Sequence, residues 1–293
     1  MAVGISWALI CALISPFIWA LMNTLDKYVV SKKAKSPISF AVIAGLVNLA
    51  IGIILALFLD WPPINFKMVI FPVIAGLVFG SQFFLYYLIL KKEDASHSVG
   101  LMYTYPILIA ILSYAFLGEK LSAISYLGVA MITIGALIIS LRLRQISLRT
   151  SWEYILSLIL AVAAYEFFIK LSTDNLPEFN GLAIQCMFIG LVTLPALFKK
   201  RVRNNFKLDL KNVKWSLLNE SLTFLALLTT YFAMAGLPVT IVSSIGAIEP
   251  LAVLALEMGF SKKLGTVRDT LFRYKIIALI LIVIGVAILY FNI

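Results

Sequence analysis

The sequence predicts an all-α membrane protein of ten transmembrane helices, arranged as two inverted five-helix repeats. Three observations predict it. Of the 293 residues, 62% are hydrophobic and only 13% charged, against about 45–50% and about 25% in soluble domains. The apolar residues run on for the roughly 20 positions that one helical crossing needs, instead of alternating as in the strands of a membrane barrel. Similar residues also recur, in order, about half a chain apart. The length holds ten crossings and leaves no room for a soluble domain of any size.

Charges, prolines and glycines separate the spans. Helices are expected near Ile5–Tyr28, Ser39–Leu59, Val69–Leu90, Ala95–Leu117, Ala123–Leu141, Trp152–Leu171, Gly181–Phe198, Trp215–Met234, Val239–Met258 and Tyr274–Phe291. The stretch from Glu220 to Glu257 is too long for one crossing, and Gly236-Leu237-Pro238 supplies the break. Trp61, Trp152 and Trp215 stand at span ends, where amphipathic rings sit at headgroup level. The first charge is Asp26, so the leading segment lacks the basic start of a cleavable signal peptide and reads as a first span. Cys11 and Cys186 fall inside apolar runs and read as small core residues.

The net charge of +10 is explained by topology rather than by nucleic acid, which is not expected as a partner. Twenty-one of the 24 Lys and Arg residues belong to the odd-numbered connections between spans; the even side has only Lys67, Lys120 and, at a span end, Lys170. Basic connections face the cytoplasm. The odd connections are therefore expected inside, and both termini outside the cell membrane. The basic run Lys199–Lys214 also suits anionic lipid headgroups.

A shift of 144 residues lays Tyr87 on Tyr231, Ser96 on Thr240 and Pro106 on Pro250. A shift of 143 lays Asn23 and Lys27 on Glu166 and Lys170, and a shift of 150 lays Gly128 and Gly135 on Ala278 and Gly285. The chain divides accordingly into residues 1–149 and 150–293. Five spans per half is odd, so the second half enters the membrane upside down, an arrangement that places a transporter's substrate near the midplane between halves. The alternative is chance likeness between two hydrophobic halves.

Tyr105-Pro106, Leu117-Gly118-Glu119-Lys120-Leu121, Gly128 and Gly135 resemble the fourth and fifth spans of an EamA half, from the drug/metabolite transporter superfamily. The second copy keeps Glu249-Pro250 and Gly285, but has Ser261-Lys262-Lys263 where the first has Gly118-Glu119-Lys120. The resemblance implies a ten-helix transporter of small metabolites, often an exporter of amino acids or related compounds.

Glu249 is the sharpest single signal. It lies about ten residues into its span, where an acid costs at least about 2.5–3.5 kcal/mol and marks function by default; protonation lowers the cost. Pro250 follows and leaves a carbonyl without its helical donor, which suits a cavity wall. The alternative is a protonated Glu249 bonded to a neighbouring helix as packing glue. Tyr105-Pro106 is the equivalent place in the first half, and Tyr103, two residues earlier, is expected to face elsewhere. Ser15, Trp19, Asn23 and Asp26 share one face of the first span. Glu166 and Lys170 stand four apart, in the favoured order for an ion pair, and read as a structural pair or a gate. Gln82 and Tyr86 are four apart on the third span, and Tyr87 matches Tyr231. Glu220 is expected near the solvated cytoplasmic end. Gly76 and Gly80 form a GxxxG suited to close helix contact. His97, the single histidine, reads as interfacial.

One histidine forbids HExxH and multi-histidine zinc sites, and no phosphate-binding G-x-x-x-x-G-K-[ST] loop is present. No metal, cofactor or catalytic triad is expected. Two readings remain: a secondary transporter with its substrate between inverted halves, for which a monomer suffices, or a membrane-embedded enzyme or scaffold acting on lipid. The repeat favours the first. The partners expected are a small-molecule substrate, suited by an amine and an apolar body, and membrane lipid.

Overall fold

The computed structural model describes residues 4–92, 95–140, 152–264 and 272–291. Among these residues every regular element is helical. The first half holds α1 (Ile5–Lys32), α2 (Pro37–Phe58), α3 (Phe66–Lys92), α4 (Ala95–Met102), α5 (Tyr105–Leu112) and α6 (Ala123–Ser140). The second holds α7 (Trp152–Thr173), α8 (Glu178–Thr193), α9 (Lys200–Asp209), α10 (Val213–Gly236), α11 (Val239–Gly246), α12 (Glu249–Leu264) and α13 (Phe272–Tyr290). Seven helical segments among the described residues are long and apolar enough to cross a membrane; Tyr105–Leu117, Ala123–Ile138 and Ile276–Tyr290 are shorter apolar helices.

The surface is apolar, and the polar side chains of the spans are gathered inside an otherwise apolar core. Leu57, Phe58 and Phe116 stand largely exposed, while Asn23, Asp26, Asn48, Glu166, Asn219, Glu220 and Glu249 are buried. Hydrocarbon solvates leucine as well as a protein core does, so nothing draws it inward. An intramembrane acid or amide can meet partners only inside the bundle.

The helix pairs are exchanged by swapping the halves. The α1 helix packs on α10 and α12; its counterpart α7 packs on α3 and α5, while α2 packs on α8 and α6 on α13. Close approach needs glycine at the α3–α8 and α6–α13 crossings. A Cβ at Gly76 would lie 2.5 Å from the Gln185 carbonyl oxygen, and one at Gly80 2.6 Å from that of Ile189. The GxxxG is thus consumed within the chain, by α8. At the α6–α13 crossing, Gly128 and Gly285 each lie against the other's carbonyl.

The fourth and ninth spans are both broken. Turns at Tyr103-Thr104 and Ala247-Ile248 separate α4 from α5 and α11 from α12. Pro106 and Pro250 fall at the second position of the new half-helix, where a missing N–H is harmless. The exposed N-terminal N–H groups of α11 and α4 are capped across the halves. Gly118, with φ 70°, closes a π turn that sends Glu119 to the Val239 N–H at 2.9 Å and the Thr240 hydroxyl at 3.2 Å. Glu257 receives the Ala95 N–H at 2.9 Å.

The connection Lys199–Lys214 folds as the helix α9 and a short turn. Its buried Asp209 accepts the Lys35 N–H at 2.7 Å and the Ser39 hydroxyl, capping α2. Arg142, Arg144, Arg149 and Arg268, part of the orientation argument, lie outside the described residues, as does the side chain of His97.

Candidate functional site

A cavity of about 80 Å³ lies between the halves, walled by α1, α3, the α4–α5 break, α7, α10 and α12. Glu249 opens α12 at one wall and is buried. Its carboxyl accepts the Asn23 side-chain amide at 2.5 Å and the Tyr103 hydroxyl at 2.5 Å. Asn23 in turn accepts the Tyr86 hydroxyl. From α7, Glu166 accepts the Tyr105 hydroxyl at 2.6 Å and the Ser243 hydroxyl. Trp19 is fixed on Thr230 at 3.3 Å and set edge-on to Phe79, ring centroids 6.0 Å apart.

Among the described residues lining this space are three carboxyls, Asp26, Glu166 and Glu249, and no lysine or arginine. Trp19, Phe79, Phe83, Tyr86, Tyr105 and Tyr165 contribute rings. Carboxyls and aromatic faces both attract a cation. Gln82 Nε2 and Tyr165 Oη, both on the lining, are buried donors with no partner. A bound molecule with acceptor groups would satisfy them.

Of the residues singled out in the sequence, Glu249, Tyr105, Trp19, Asn23, Glu166 and Tyr87 line the cavity, and Pro106 and Pro250 set the breaks beside it. Lys170 and Tyr231 lie off it. Tyr231 is fully buried and donates to Gln185 at 2.5 Å. Lys170 binds Asp174 at 2.8 Å and the Met234 carbonyl at 3.0 Å. Lys27, its counterpart by the 143-residue shift, binds the carbonyl of Leu90 at 2.8 Å, and Leu90 and Met234 are themselves 144 apart.

Three expectations are corrected. Glu166 and Lys170 do not pair: the acid faces inward to Tyr105 and Ser243, and the lysine turns to Asp174, one helical turn further on. Tyr103 does not face away from Tyr105's wall, because the turn at Tyr103-Thr104 removes the helical rotation that would have separated them. Glu220 is not solvated. It is fully buried and accepts the side-chain amides of Asn48 at 2.7 Å and Asn219 at 3.2 Å. Asn48 has a legible signal, as the one polar side chain between Phe40 and Leu59. Tyr165, Ser243 and Asn219 carry none that separates them from ordinary packing residues.

The profile of the EamA-like transporter family matches residues 6–141 and again residues 151–291. The chain belongs to the EamA-like transporter family. It is 37% identical over 71 residues to an uncharacterized transporter in the cobO 3' region of Sinorhizobium sp; the match covers 24% of this chain and spans half the length of that relative. A solved crystal structure of another protein superposes over 94% of this chain and 95% of its own with a TM-score of 0.65, at 18% identity, a likeness of fold. This EamA-like chain, with its many apolar helices, is a multi-pass membrane protein. Family and relative alike point to a transporter rather than an enzyme.

Proposed function

We propose that this EamA-like protein is a secondary transporter that moves a small amine with an apolar body, an amino acid or related compound, across the cell membrane by alternating access, in the direction of export. The observation that carries the reading is the matched pair of contacts Asn23–Glu249 and Tyr105–Glu166, which bound one cavity from both halves. Residues exchanged by the repeat make the same kind of contact, so both halves shape the cavity. The Glu166 and Glu249 carboxyls select the amine; the rings hold the apolar body.

In this reading the seven long and three short apolar helices make ten crossings, in repeats of residues 1–149 and 150–293. Exchange of α1–α10 with α7–α3 is what a two-fold axis produces. With five spans per half, that axis lies in the membrane plane, and the distribution of basic residues sets both termini outside. A monomer suffices, because one chain encloses the cavity.

Counterflow of radiolabelled aromatic amines and amino acids in proteoliposomes tests the reading. Label that equilibrates unchanged and is lost in Glu249→Gln supports it. Chemically altered label, or no saturable flux across the panel, overturns it.

A further inference from the structure

Behind the cavity lies a second acidic group that the substrate reading does not use. Asp26 reaches the cavity from α1, and Glu220 stands on α10 beyond it; both are buried. The Asn219 side-chain amide bridges them, donating to Asp26 at 2.9 Å and to Glu220 at 3.2 Å. Asn48 donates to the other Glu220 oxygen at 2.7 Å and to the Ala44 carbonyl at 3.0 Å. Each amide has thus spent both N–H groups, and the side-chain oxygens of Asn48 and Asn219, fully buried, are left without a donor. The Tyr86 and Tyr87 hydroxyls add donors to Asp26 and Thr223 adds one to Glu220, yet the two amide oxygens stay unpartnered.

Among the described residues no lysine or arginine acts on either carboxyl. The two carboxyls are within electrostatic reach of one another, with Tyr86 and Tyr87 of α3 beside Asp26. Cys186 of α8 lies within reach of Glu220. Glu249 and Glu257 of α12 both act on Tyr86 from the other side. Lys27, the nearest lysine in sequence, is held on the Leu90 carbonyl. Among the described residues, every hydrogen bond that reaches either carboxyl comes from a neutral group.

We propose that Asp26 and Glu220 form a proton-binding pair, separate from Glu249, that holds one proton and exchanges it with the cavity through Asp26. Two adjacent buried carboxyls cannot both ionise without a neutralising cation. A metal ion is disfavoured between them, because the Asn219 NH₂ fills that space with the positive end of its dipole. A proton needs no space, and it turns one carboxyl into the donor that the unpartnered oxygens lack. When the proton leaves, Asp26 gains charge on the cavity wall, where it joins Glu249 and Glu166 in attracting a cation. Proton release would therefore favour amine binding. That coupling rests on the transport reading; the binding of the proton does not.

Infrared difference spectroscopy of the protein in phosphatidylcholine bilayers, taken through a pH titration without substrate, tests the pair. The expected result is a protonated-carboxyl stretch whose titration midpoint Asp26→Asn and Glu220→Gln each lower, that the double variant abolishes, and that survives in Glu249→Gln. A midpoint that neither single variant moves overturns the proposal, as does a stretch that the double variant leaves intact. Sodium that removes the band at fixed pH also overturns it, in favour of a metal site. Should either acid variant fail to fold, Asn48→Ala, which takes one amide from Glu220, must move the titration midpoint by a tenfold change in proton affinity or more; an unmoved midpoint overturns the proposal. Failure of the amine panel in counterflow counts against transport alone, and the infrared result still decides the pair.

Discussion

The Asn23 amide nitrogen and a Glu249 carboxyl oxygen meet across the two halves at 2.5 Å. Their counterparts, Glu166 and Tyr105, meet at 2.6 Å. In both contacts the first half donates and the second accepts. The cavity thus has a carboxyl from the second half on each of two walls, each held by a neutral donor that an incoming cation can replace.

Glu249→Gln keeps the volume and removes the charge. Hydrogen bonds to charged groups contribute about 1.5–3 kcal/mol, so amine counterflow in the variant should fall at least about tenfold, with helix content and gel-filtration profile unchanged. Full counterflow in Glu249→Gln, combined with unfolding of Glu249→Leu, would instead make this acid packing glue.

Glu220→Ala strips partners from Asn48 and Asn219 and should destabilise the fold by about 1–3 kcal/mol, the cost of buried polar groups left unmade. Glu220→Gln should cost less, since its amide can still bond. An SDS unfolding titration measures both. Equal stability of wild type and Glu220→Ala would mean that the acid is solvated after all.

Gly76→Val drives a side chain into the Gln185 backbone. Overpacking of this kind costs about 1–3 kcal/mol, visible in the same titration, while the oligomeric state by light scattering should not change. A change of oligomeric state without loss of stability would mean that the glycines face another copy.

Glu119→Ala uncaps α11. The expected loss is about 1 kcal/mol, within the range for an N-terminal cap, with a matching rise in amide hydrogen exchange at Val239 and Thr240. Unaltered exchange there would assign the cap no energetic role.

A cysteine at position 204, in a chain freed of Cys11 and Cys186, should react with an impermeant maleimide only after the cells are opened. Labelling of intact cells would reverse the proposed orientation.

Spans were legible because about twenty apolar residues in a row have few other uses. The repeat was legible because Asn23 with Lys27 and Glu166 with Lys170 kept their spacing. What failed was direction around the helix axis wherever the helix stops. Tyr103 was assigned a face by helical rotation, and the turn after it removed that rotation. A place near the cytoplasmic end of its span suggests water for Glu220, but that place fixes depth in the membrane, not whether α1, α2 and α8 close over the side chain. Asn48 shows the converse: a lone amide in an apolar run must find a partner, but the sequence does not say that the partner is Glu220, 172 residues away.

The matched contacts also bear on ancestry. Were the protein two copies of its first half, Asn23 would face Tyr105 at both walls, with no carboxyl in either contact. Were it two copies of the second, Glu166 would face Glu249 twice, acid against acid. Neither homodimer reproduces a donor opposite a carboxyl. Fusing the halves into one gene frees the two copies to diverge, and that divergence is what makes this cavity's walls complementary.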